Sequence, residues 1–342
     1  MAPSRGRELS GLRLRSTPKI EGMIIGIDET GHVAVGQRFV VAVALIRPTA
    51  LPSVKARLER WEELTRRALP GRPAEIKSTA LSDAARRDFV NKVLVSPAHD
   101  IRYFAVLCDV DEEALRWGEI QRDHYVTSMA GWEAKAAADG HSKLAKQLSN
   151  FGGWLRNTPA GMTVKATTLN HAVTRGLNDG IGLSAAGRFD EELGELRFEI
   201  DQGFTRGSVE RWQWLLRNFL MIATQSSPIT MVDTWTDSHP FVRTFIDERR
   251  GDYIRLKPAF AERFSFVDSK VSVAVRVADQ VAGLLRRRYI DLRATQYLDR
   301  MTEREVAPPL EVLELVGDAD VASAGEIKNL FAQFSELGPP PS

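Results

Sequence analysis

Ile25-Gly26-Ile27-Asp28-Glu29-Thr30-Gly31 is a short apolar run that ends in two acids and a turn. From Met23 to Asp28 the run is too short for a helix and rich in isoleucine, as expected of a buried strand, and Thr30-Gly31 supplies the turn. A second run, Phe39 to Ile46, is dense in valine and alanine. Two apolar runs joined by a few turn residues read as a hairpin whose first strand is central in a sheet.

Outward from this pair, Ser53 to Leu69 carries apolar residues at helical spacing (Val54, Leu58, Trp61, Leu64). The break Pro70-Gly71-Arg72-Pro73 leads into Glu75-Ile76-Lys77, and Ser82 followed by Asp83 marks the capped start of another helix. Ile101 to Cys108 is a third strand. Residues 112–190 read as a mostly helical insertion or cap, with helices over Ala114 to Ala138 and Ser142 to Arg156 and then a Gly- and Asn-rich stretch, Gly176 to Gly187. Strand character returns at Leu196 to Ile200, before Asp201. An aromatic helix at Ser208 to Thr224 (Trp212, Trp214, Phe219) follows, and these aromatics read as core rather than as base-stacking platforms, Trp212 being open to either role. Phe264 to Val267 is a last short strand, and Val271 to Leu285 an apolar helix with Asp279 inside it. The expected organisation is a flexible basic leader at 1–22 (Arg5, Arg7, Arg13, Arg15, Lys19), an α/β domain at 23–290 with a mixed central sheet flanked by helices, and a partly frayed extension at 291–342.

The 342 residues are 43% hydrophobic and 27% charged, ample for a buried core. No stretch approaches the roughly 20 apolar residues needed to cross a bilayer. Cys108 is the single cysteine, which excludes an intrachain disulfide and a cysteine-based zinc site, and its apolar setting suggests a small buried hydrophobe. A cytoplasmic location follows as an expectation. A net charge of +1 means that nucleic acid would have to be bound by local patches, of which the leader and Arg286-Arg287-Arg288 are candidates; each also reads as a solvated tail or a dipole-favoured helix end.

Four acids stand at the end of, or inside, otherwise apolar elements: Asp28, Glu75, Asp201 and Asp279. Taken singly, Asp28 reads equally as a turn former, Glu75 as half of a surface ion pair with Lys77, Asp201 as a turn or cap residue, and Asp279 as part of a polar helix face. Taken together, buried carboxylates converging on one point repel unless a divalent cation neutralises them. Oxygen-only ligation favours Mg²⁺ or Mn²⁺, and two such ions roughly 4 Å apart serve phosphodiester hydrolysis. Lys77 and Lys270 would offset phosphate charge beside the ions, or merely balance neighbouring acids. Glu29 falls on the opposite strand face from Asp28. The six histidines show no zinc-protease spacing, with His32 the only one close to Asp28; there is no serine elbow and no phosphate-cradling loop.

The order of acids, first strand, middle, later strand and terminal helix, resembles the RNase H-like superfamily. More narrowly, Ile27-Asp28-Glu29-Thr30-Gly31, Glu75-Ile76-Lys77, Ile200-Asp201, Asp268-Ser269-Lys270 and Ala278-Asp279-Gln280-Val281-Ala282-Gly283 resemble the motifs of the domain-of-unknown-function family numbered 3800. Arg276 and Val277 stand where that family commonly has a glutamine, and residues 112–190 have no counterpart in it. The resemblance implies an RNase H-like fold and a divalent-metal nuclease acting on RNA or DNA, with an association with mobile elements and phage defence. The alternatives are a catalytically weak or inactive module that binds nucleic acid or protein on the same scaffold, and a metal-dependent hydrolase of a small phosphate compound.

Overall fold

The computed structural model describes residues 22–95, 101–185, 190–202, 210–216, 236–250, 253–293, 296–302 and 310–313. The basic leader, Phe219 with the rest of 217–224, and the proline-rich end lie outside the described residues.

The opening hairpin forms, but its first strand runs on through Thr30 and Gly31, which pair with Val40 and Phe39, so the turn falls at 32–36 rather than at Thr30-Gly31. Strand β1 (Ile24–Gly31) pairs antiparallel with β2 (Gln37–Ile46), which pairs antiparallel with β3 (Ile101–Val110). On the other edge of β1 lies β4 (Arg197–Asp201), parallel to it, and β7 (Phe264–Val267) is parallel to β4. Helix–sheet crossovers of this kind need long connections, and the chain supplies them. A short strand, β8 (Leu310–Val312), adds to the outer edge of β3, so the mixed six-stranded sheet runs β7-β4-β1-β2-β3-β8. The chain is thus an α/β fold with helices on both sheet faces. A small separate hairpin joins β5 (Ile246–Arg250) to β6 (Tyr253–Leu256).

Strand alternation divides the core in two. Ile25 and Ile27 of β1, Phe39, Val41, Val43 and Leu45 of β2, and Phe198 and Ile200 of β4 enter one cluster. It is covered by α3 (Glu112–Ala138), α4 (Ser142–Arg156), α5 (Ala160–Ala185), the short α6 (Asp190–Gly194), α7 (residues 210–216) and α8 (Pro240–Phe245). Ile24, Val40, Ala42, Ala44 and Ile46 face the opposite way. There they meet α1 (Leu51–Ala68), α2 (Asp83–Phe89), α9 (Val273–Leu285) and α10 (Gln296–Thr302). Helix α2 begins at the expected cap, where the Ser82 side chain accepts a hydrogen bond from the Ala85 amide.

The Gly- and Asn-rich stretch from Gly176, to which the sequence reading assigned no element of its own, continues α5 as helix to Ala185. Gly176 and Gly180 are one turn apart, and a Cβ on either would stand 3.3 Å from Ile25 or Met23 of the sheet. Their small size lets α5 lie close on β1 and β2, and that packing outweighs the roughly 1 kcal/mol by which each glycine disfavours a helix. The helical segment does not stand apart from the sheet, since Leu169, Val173, Leu177 and Ile181 of α5 belong to the same core as Ile25 and Phe104. Trp212 meets Trp154 edge to face at 5.2 Å and Trp214 meets Phe151 at 4.7 Å, so both rings pack within this layer. Cys108 is fully buried, and burial pushes its thiol up to about 11. Among the described residues, no helix is long and apolar enough to cross a membrane.

Candidate metal and phosphodiester site

The site is built where α9 crosses the centre of the sheet. Ala274, Ala278 and Ala282 recur every four residues and are fully buried, presenting a flat stripe to the sheet. Beneath lie small residues as well: Gly26 pairs with Ala44, and Asp28 with Ala42. A Cβ on Gly26 would stand 2.3 Å from the Ala274 carbonyl carbon, so only glycine permits this approach. Close packing of small residues therefore brings a helix acid down to the level of the strand acids.

Asp28 lies on the α9 face because Ile25 and Ile27 occupy the other. The parallel pairing of Ile27 with Ile200 carries Asp28 and Asp201 side by side, with Asp201 ending β4 and Asp28 inside β1, before Glu29, Thr30 and Gly31. Asp201 shares its face with Glu199, which accepts a 2.6 Å hydrogen bond from Ser272, the cap of α9. Asp279 sits on α9 itself. Burial first, and then the charges of Asp279 and Asp201, push the Asp28 carboxyl up to about 9. The Glu29 amide, donating to Asp28 Oδ1 at 2.7 Å, opposes the shift without cancelling it. Asp279 is pushed up to about 6, by burial first; Lys77 lowers it, and Glu75 and Asp201 raise it.

Glu75 joins from the segment after α1. It acts on Asp279, whereas the carboxylates acting on Asp28 are Asp279, Asp201 and Glu29, so Glu75 stands on the outer side of the group. Its carboxylate is bonded to the Lys77 ammonium. Burial disfavours the Lys77 charge, but the bond to Glu75 and the charges of Asp279, Glu75 and Asp28 outweigh it and hold the ammonium above its usual range. Lys270 lies across a cleft of about 90 Å³ that Glu75, Asp279 and Gln280 also line. The cleft is closed on one side by the Arg276–Glu62 ion pair at 2.7 Å, which ties α9 to α1. Glu29 faces the other side of the sheet and pairs there with Lys165 of α5. His32 is exposed in the turn.

Gln280 is a functional residue that the sequence reading passed over. Its amide nitrogen donates to Asp279 Oδ2 at 2.8 Å and to the Ile76 carbonyl at 3.0 Å. Both partners are acceptors, which fixes the amide orientation and leaves Oε1 buried without a partner. The side chain thus sets the Asp279 carboxylate and ties the Glu75 segment to α9. Two successive polar residues, Asp279-Gln280, inside an apolar helix were the available signal.

As the side chains are placed, no three acids, histidines or cysteines among the described residues stand together at ion-holding distance. The donor set nevertheless fits a hard divalent cation: all its groups are carboxylate oxygens, and the burden of like charge on Asp28 is of the kind a cation relieves. Compared with protein-family models, with curated proteins and with solved structures, the chain matches none.

Proposed function

We propose that the protein is an RNase H-like, divalent-metal-dependent nuclease that hydrolyses phosphodiester bonds of RNA or DNA. The observation that carries this reading is the placement of Asp28, in register with Asp201 of β4 and on the face that α9 brings Asp279 to, where burial and these like charges push its carboxyl up to about 9. Such crowding is unfavourable for the isolated chain and is characteristic of functional sites. The order of acids on β1, the segment after α1, β4 and α9 also agrees with the motifs that resemble family 3800.

Asp28, Asp201, Asp279 and, at the rim, Glu75 would hold Mg²⁺ or Mn²⁺. A cation so bound supplies charge neutralisation at the phosphate and a more acidic water. The chain's own residues do the rest. Gln280 holds the Asp279 carboxylate in one orientation, Lys77 restrains Glu75, and the Arg276–Glu62 pair keeps α1 against α9 beside the cleft.

The test is cleavage of end-labelled single-stranded RNA, single-stranded DNA and duplex DNA in Mg²⁺ or Mn²⁺, with Asp28→Asn in parallel. Product that persists in chelator, or that survives the substitution, rules the assignment out. A second reading is a nucleic-acid- or protein-binding module with little turnover. It is favoured by the absence, among the described residues, of three donors at ion-holding distance. Metal-independent binding without product across the same substrates would support it.

A further inference from the structure

We infer that the two lysines of the site have separate tasks, and that the turn Asp268–Val271 is the element that grips a nucleic-acid strand, Lys270 on a phosphate and Val271 on the adjoining nucleoside. This rests on the nuclease reading and gives its substrate class, a strand with bases rather than a small phosphate compound.

Lys77 is 61% exposed, but its ammonium is bonded to Glu75 and set among the site's carboxylates, so an arriving phosphate meets an internal competitor there. Lys270 is exposed, lines the same cleft as Glu75 and Asp279, and its ammonium has no partner among the described residues. A cation with no anionic partner among the described residues, beside a carboxylate site, is placed for an anion arriving from outside.

The turn that presents it is held at both ends. The Lys270 amide donates to Asp268 Oδ1 at 2.9 Å, and the Val271 amide donates to the Asp268 carbonyl at 3.0 Å. The next residue, Ser272, is 5% exposed and anchored to Glu199. Between these fixed points Val271 is 74% exposed. Single exposed valines are ordinary on a protein surface. This one differs in sitting within a hydrogen-bonded turn next to Lys270, which lines the cleft. The sugar and base edge next to a phosphate is the part of a nucleic acid that an apolar side chain covers, whereas an inorganic or small alkyl phosphate offers no such surface.

The experiment measures binding of a fluorescein-labelled 16-nucleotide single-stranded DNA, and of the matching RNA, to full-length Asp28→Asn protein by anisotropy over a range of salt. Against that background, Lys270→Ala is expected to reduce the slope of log K against log salt by about 0.7, the value for one phosphate of a single strand, and Lys77→Ala to leave the slope unchanged. Val271→Asp is expected to weaken binding about tenfold and Val271→Leu to retain it, at an unchanged far-UV spectrum and melting temperature. A slope that falls with Lys77→Ala and not with Lys270→Ala overturns the division of tasks, as does wild-type affinity in Val271→Asp. Either result leaves the nuclease reading standing. Absence of strand binding by the wild-type and Asp28→Asn proteins alike overturns both.

Discussion

Asp28 and Glu29 are adjacent acids on one strand, and the fold gives them opposite surroundings. Glu29 faces α5 and meets the Lys165 ammonium, which also lies 5.7 Å from the Phe39 ring centroid. Asp28 faces α9 and meets Asp279 and Asp201. The first face resolves its charge internally and is otherwise sealed by aromatic and branched side chains. The second gathers carboxylates beside a polar cleft. A strand's twofold alternation is enough to separate a structural acid from a functional one, even when they are neighbours in sequence.

The sharpest way to break this contrast is Asp28→Asn. In the nuclease reading, metal-dependent cleavage falls by more than about a hundredfold, beyond the loss typical of a residue that only supports a metal ligand. The same substitution has an opposite effect on the metal-free fold. The folded protein holds the Asp28 proton up to about pH 9, while the unfolded chain releases it near pH 4. Within that window the native state binds more protons, so wild-type stability falls as pH rises. Asp28→Asn flattens this part of the stability–pH curve, and Mn²⁺ restores wild-type stability at pH 8; urea melts at pH 5 and pH 8 read both. A wild-type curve that rises through this window would contradict the crowding of Asp28.

Glycines test how closely each helix lies on the sheet. Gly26→Ala places a Cβ 2.5 Å from Ala274 Cβ and against backbone that cannot yield, and is expected to cost about 3 kcal/mol in denaturant unfolding. Gly176→Ala on the other face meets side-chain atoms at 3.3 and 3.4 Å. There the gain in helix propensity offsets mild crowding, and stability should stay within about 1 kcal/mol.

Lys165→Met removes the ammonium that pairs with Glu29. Both side chains are mostly buried, at 15% and 19% exposure, so a loss of about 1–2 kcal/mol is expected, independent of metal. The smallest effect belongs to Arg38→Ala. Its pair with Asp109 is half-exposed on both sides, and unfolding should shift by less than about 0.5 kcal/mol.

The first three strands, the cap at Ser82, the helix bearing Asp279 and the opposite facing of Glu29 were legible in sequence, since each depends on alternation, turn chemistry or capping within a few residues. The glycine-rich end of α5 was not. Its local preference points to a loop, and only the close approach to Ile25, Val43 and Met23 makes helix the better state. Glu75 illustrates the same limit within the site. Its sequence offers an acid near a lysine, an arrangement common on surfaces, and the hydrogen bond from Gln280 to Ile76 is what brings that segment to Asp279.

By itself, then, the sequence determined which residues alternate, which segments turn and where the acids fall along the chain. The tertiary structure decided which acids lie close enough to couple electrostatically and which lysine has no partner among the described residues. Local patterning acts over one or two turns of chain, whereas charge coupling depends on burial and on distances between elements far apart in sequence. The stripe Ala274-Ala278-Ala282 over Gly26 links the two levels: small residues, visible in the sequence, matter because they let α9 approach β1 closely enough for Asp279 to act on Asp28.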